Sequence, residues 1–91
     1  MLDAVKNALG VTDETFNSEL ETLILAARAD LGIAGVIVPD PLDAIVKVAI
    51  ITYCKIHFGS PPDFERLKRS YDEQKGQLAM ATGYTDWGES V

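Results

Sequence analysis

The chain is 91 residues long, which allows one small domain and leaves no room for a catalytic domain beside a regulatory one. Its hydrophobic fraction of 47% is that of a folded globular protein, not of a disordered one. Fourteen acidic residues against eight basic ones give a formal charge of −6, which disfavours a sequence-reading DNA binder and a binder of anionic membrane, because both need a basic surface.

The acidity is uneven. Residues 1–40 carry seven acidic side chains against Lys6 and Arg28, whereas residues 41–91 carry seven against six basic ones. A single cysteine, Cys54, excludes an internal disulfide and suits a reducing compartment. The acidic start Met1-Leu2-Asp3 is unlike a signal peptide, and the apolar run Leu42 to Ile56 is too short and too often interrupted by charge to span a membrane.

In chain order, the first helix is expected over Leu2 to Leu9, with Leu2, Val5 and Leu9 on one face and Gly10 as its stop. Thr12 is the expected N-cap of the second helix, with Asp13 and Glu14 in its first turn, where carboxylates meet the positive end of the helix dipole. Phe16, Leu20, Leu23, Ile24, Ala27 and Leu31 form its apolar stripe. Glu14, Ser18, Glu21 and Arg28 lie opposite, and Gly32 and Gly35 close the segment. Ile33 to Pro39 then reads as an ordered, partly buried connection.

Asp40-Pro41 starts a third helix, with Asp40 as N-cap and proline at the first helical position. From Leu42 to Phe58 this helix is apolar almost all round, so it must be surrounded and is the centre of the fold. Gly59 ends it, and Ser60-Pro61-Pro62-Asp63 starts a fourth helix, with Ser60 or Asp63 as cap. There Phe64, Leu67, Tyr71 and Leu78 repeat near a heptad spacing, with Gln74 or Lys75 at the missing step. Thr82-Gly83 stops it. The expectation is an all-α bundle of about four helices over residues 1–83, followed by an extended C-terminal tail over 84–91.

Chemistry is sparse in this pattern. His57, the sole histidine, reads as a cation at a helix C-terminus or a packed surface residue, and Cys54 reads as a small core hydrophobe. A Cys/His pair without a third ligand or an activating neighbour makes neither a metal site nor a nucleophile. No phosphate-cradling glycine loop, nucleophile elbow or HExxH motif occurs, so no enzyme, cofactor or metal is expected. Arg66, Lys68 and Arg69 could touch phosphate, but they also read as a solvated face balanced by Glu65, Asp72 and Glu73, with Glu65 to Arg69 an i,i+4 pair. Tyr84 and Trp87 are large rings in the tail and read as interface anchors, or as rings folded back on their own domain. Two long helices are little cover for so apolar a third, and a neighbouring subunit would complete the core.

The order of these signals resembles one family. A short leading helix, Val11-Thr12-Asp13-Glu14 and then Leu20 to Arg28 is similar to the opening of tailed-phage head–tail connector proteins, the head-completion adaptors below the portal. Asp40-Pro41-Leu42-Asp43-Ala44-Ile45, opening an apolar helix that ends in Tyr53, Cys54 and Phe58, continues the resemblance. The ending Thr82-Gly83-Tyr84-Thr85-Asp86-Trp87 resembles that of members from phages of Gram-positive hosts. The resemblance implies an all-α subunit of a homo-oligomeric ring, usually twelve-fold, stacked on the portal protein. Such a ring extends the DNA channel, lets double-stranded DNA pass without specific binding, and docks neck or tail-completion proteins. It implies a virion protein at the head–tail junction, made in the bacterial host cytoplasm, with no catalytic residues to carry over. On this reading Tyr84, Trp87, Arg66, Lys68, Arg69, Glu14 and Glu21 are the interface candidates. The competing reading is a small helical DNA-associated regulator or packaging-enzyme small subunit using Arg66, Lys68 and Arg69. The charge of −6 and the lack of a helix pair joined by a tight turn stand against it.

Overall fold

In the computed structural model, the described residues are 1–36, 44–59 and 61–80. They form α1 (Leu2–Leu9), α2 (Asn17–Ile33), α3 (Ala44–His57) and α4 (Phe64–Met80), and no β-strand occurs among them. The expected small all-helical bundle is what the chain builds. The expected tail at 84–91 lies outside the described residues, as do Asp40, Pro41 and Ser60, expected at the starts of the third and fourth helices, and Thr82-Gly83, the expected stop of the fourth.

Two helix ends are closed by the same device. After α1, Gly10 takes a left-handed φ of 73°, its N–H donates to the Asn7 carbonyl, and Val11 N–H donates to the Lys6 carbonyl. After α2, Gly35 has φ 90°, its N–H donates to Gly32, and Val36 N–H donates to Leu31 at 2.9 Å. Both are Schellman closures, and only glycine adopts the left-handed position without a Cβ penalty. Ile33, expected in the connection, is therefore the last residue of α2, and Val36 is the buried residue that follows the turn.

The start of α2 differs from expectation. Thr12 caps nothing, and the helix begins at Asn17, with Phe16 in the cap position. Asp13 Oδ1 accepts a hydrogen bond from Thr15 N–H at 3.2 Å, which diverts residues 13–15 into a side-chain-supported turn. Four residues of extra turn bring Phe16 edge-on to Phe58, with ring centroids 5.3 Å apart. That contact clamps the entry to α2 against the end of α3.

α3 is the common neighbour of all three other helices, as its composition requires. It contributes Val46, Ala49, Ile50, Cys54 and Ile56 to the core. α2 contributes Leu20, Ile24, Ala27 and Leu31, and α1 contributes Val5. Thr52 is also buried, and its hydroxyl returns to the Val48 carbonyl at 2.9 Å, so the polar group costs little. α3 is not wholly enclosed: Ile45 and Val48, one turn apart, remain more than half exposed. α4 packs mainly on α3, with Tyr71 and Leu78 fully in the core and Leu67 and Ala79 packed against it.

Candidate assembly surfaces

Of the interface candidates named from sequence, those among the described residues fall on α4, on α2 and on the turn before α2. Arg66, Lys68 and Arg69 are exposed along α4. The expected Glu65–Arg69 pair does not form. Arg66 instead pairs one turn back with Asp63, just ahead of the helix, which leaves Lys68 and Arg69 without an ion-pair partner among the described residues. Glu65, Lys68, Arg69, Asp72 and Glu73 together line a shallow surface depression on this helix. It is open and of mixed charge, the wrong shape for holding a small molecule.

Glu21 is exposed on α2, as expected. Glu14 is not on that helix: it sits in the preceding turn, where its carbonyl accepts from Asn17 N–H at 3.2 Å. The two carboxylates thus lie on neighbouring segments and do not share one helical face. Tyr84 and Trp87 lie outside the described residues.

The structure adds two features that the apolar pattern did not single out. The first is apolar surface. Leu25 is 67% exposed and Ile33 is 87% exposed, both on the side of α2 turned away from the core. Leu25 also lines a groove with Met1, Leu2, Glu21 and Ile24, where α1 meets α2. In sequence Leu25 was visible as the leucine that does not fit the period of Leu20, Ile24, Ala27 and Leu31.

The second is a polar link between α2 and α4. Asp30 Oδ2 accepts a hydrogen bond from the Tyr71 hydroxyl at 2.5 Å and from Lys75 Nζ at 3.1 Å. Lys75 also stands 5.2 Å from the centre of the Tyr71 ring, and Tyr53 packs edge-on against that ring at 5.4 Å. Burial by itself would raise the Asp30 carboxyl, but the hydrogen bonds from Tyr71 and Lys75, with the nearby positive charge, outweigh it and hold the group below its ordinary value. Tyr71 moves the other way. Burial raises its phenol, and donation to the Asp30 carboxylate raises it further, so it stays a neutral donor. The signal for this link was present in sequence: an acid between two core positions of α2, and Tyr71 with Lys75 one turn apart on α4.

Among the described residues, Cys54 and His57 do not combine into a reactive pair. Cys54 is fully buried and burial pushes its thiol up to about 11, while His57 is exposed and lies against the Tyr53 ring at 4.3 Å. The two do not share a site. Among the described residues no group of three potential metal ligands occurs, and no helix is long and apolar enough to cross a membrane.

What the molecule offers is therefore surface: an acidic and apolar side on α1 and α2, and a charged side on α4. Comparison with curated proteins and with solved structures gives no match. A family model described as phage connector protein matches residues 1–85. That match takes in all four helices and nearly the whole sequence, and the chain belongs to the phage connector protein family.

Proposed function

We propose that this protein is a structural subunit of the head–tail junction, assembling into a ring below the portal protein, extending the DNA channel and docking neck or tail proteins. The observation that carries the reading is the family match over residues 1–85. A connector family is structural, and a virion component with phage assembly partners is what membership implies. The surface supports it: among the described residues Leu25, Ile33, Ile45 and Val48 are exposed apolar side chains, which suits a protein whose cover is completed by neighbours.

On this reading residues 1–83 form the body of the subunit, and 84–91 form a tail whose Tyr84 and Trp87 anchor it to the portal or to the next subunit. Arg66, Lys68 and Arg69 on one copy and Glu14 and Glu21 on another supply charged subunit contacts. Double-stranded DNA passes through without being gripped, since a chain with a net charge of −6 repels phosphate and keeps the passage free of sticking points.

The test is size measurement by light scattering with negative-stain microscopy across a range of concentrations, alone and with portal protein. Rings with a central hole, formed alone or on the portal, support the proposal. Failure to form them in either condition refutes it. Tight, sequence-dependent binding of duplex DNA at moderate salt also refutes it, and favours the regulator that would use Arg66, Lys68 and Arg69.

A further inference from the structure

We propose that the exposed face of α2 around Glu21 and Leu25 is the docking seam for α4 of the next copy, with Leu25 against Phe64 and Glu21 against Lys68, the two helices antiparallel. The inference rests on the ring reading and specifies which surfaces meet.

Two independent features of the surface point to this pairing. The first is an exposed apolar side chain on each helix. Leu25 is 67% exposed on α2, and Phe64 is 44% exposed at the first turn of α4. The second is charge. Glu21 and Lys68 are both exposed, and neither has an ion-pair partner among the described residues.

The spacing then fixes the direction. Glu21 lies four residues before Leu25, and Lys68 lies four residues after Phe64. Each helix thus presents one apolar and one charged side chain a single turn apart, a rise of about 6 Å on both. Setting the apolar pair together brings the opposite charges together only when the helices run in opposite directions. In a parallel arrangement Lys68 falls opposite Ala29, and the two charges stand about two turns apart along the seam. The groove formed by Met1, Leu2 and Ile24 beside Leu25 gives the incoming ring an apolar floor.

The two halves of the contact are on different helices of one subunit, so each copy can offer its α2 to one neighbour and its α4 to another. Such a contact propagates, and it closes into a ring if the rotation per step allows.

Thiol cross-linking with a short bismaleimide tests this on the full chain. Leu25→Cys and Phe64→Cys are substitutions at exposed positions, and the native Cys54 is buried, which keeps it out of the reaction. A mixture of the two single variants is expected to give a cross-linked dimer that neither variant gives alone. The double variant is expected to give a ladder beyond the dimer. Cross-linking of Leu25→Cys to itself, a ladder that stops at the dimer, or a mixture that still assembles and gives no cross-link overturns the seam. In that last case the ring reading stands. If no oligomer forms even on the portal, both fall.

Charge exchange is the second arm. Glu21→Lys and Lys68→Glu alone are each expected to weaken assembly about tenfold or more, and the double exchange to restore it to within about threefold. Equal weakening in the double variant overturns the pairing of these two residues.

Discussion

Removing one oxygen tests whether the polar link holds α4 to the bundle. Tyr71→Phe keeps the ring, its 5.4 Å contact with Tyr53 and its volume, and deletes only the hydroxyl that reaches Asp30. Tyr71 is 4% exposed, and its bond to Asp30 joins residues 41 apart in sequence, so the loss falls on tertiary structure and not on helix propensity. A hydrogen bond to a charged group contributes about 1.5–3 kcal/mol. The Asp30 side chain is 34% exposed, so water replaces part of what is lost and the cost lies at the low end, about 1–2 kcal/mol. For a domain of this size that corresponds to a fall in Tm of roughly 5–12 °C near neutral pH, read by far-UV circular dichroism.

Acid supplies the control. The folded-state carboxyl of Asp30 is lowered, so its contribution is present above the unfolded value, near 3.9, and fades as pH falls through the lower folded value. The gap between the native chain and Tyr71→Phe should therefore narrow below about pH 4. A loss under about 0.3 kcal/mol, or a gap that does not change with acidification, would refute the argument, since surface pairs commonly contribute no more than that.

The other expectations follow from the same chemistry. Burial first, and the Asp30 carboxylate next, raise both Tyr71 and Tyr53, so the stability tied to their neutral phenols is complete below about pH 10 and is lost as pH rises beyond it. Alkaline melts should show that loss, and Tyr71→Phe should reduce it; an unchanged alkaline limb would count against the buried phenol. Cys54, with its thiol pushed up to about 11 and no exposed surface, should react with a thiol reagent only as fast as the bundle opens, and rapid labelling in native buffer would contradict its placement. Deleting residues 84–91 should leave the helical signal unchanged and impair assembly, whereas loss of the fold would show that Trp87 belongs to the subunit's own core.

Helices were legible where a single physical signal decides them. Leu2 to Leu9 was readable to its last residue, because an apolar period ends at a glycine that can turn left-handed. The core side of α2 was readable for the same reason, since Leu20, Ile24, Ala27 and Leu31 admit one helical face. The start of α2 was not, because Thr12, Asp13 and Glu14 offer two local solutions of similar strength. Asp13 can support a cap or a turn, and the choice was made by Phe58, more than forty residues away, which draws Phe16 into an aromatic contact. Charge pairing failed to read out in the same manner. Arg66 and Arg69 each had an acidic residue within a turn, and only Asp63 won its partner. The Asp30 link and the outward Leu25 depend on how α2 and α4 are rolled against α3, which the helical period alone does not settle.

The net charge of −6 sets a problem for any assembly of this chain, since every copy repels the next. The acids are not equivalent, however. Asp13 is engaged in its turn and Asp30 in the link to α4, so among the described residues the outward acidity of the first half rests on Asp3, Glu14, Glu19 and Glu21. Repulsion between whole subunits acts over separations of a Debye length or more, about 10 Å at 0.1 M salt, whereas a Glu21–Lys68 contact acts over a few ångströms and is screened less. Raising salt from very low to about 0.1 M should therefore strengthen assembly, by weakening the long-range repulsion before it reaches the short-range attraction. Light scattering at fixed protein concentration across a salt series checks this. Assembly that weakens steadily from the lowest salt upward would mean that attraction between opposite charges, and not apolar contact at Leu25 and Phe64, holds the subunits together.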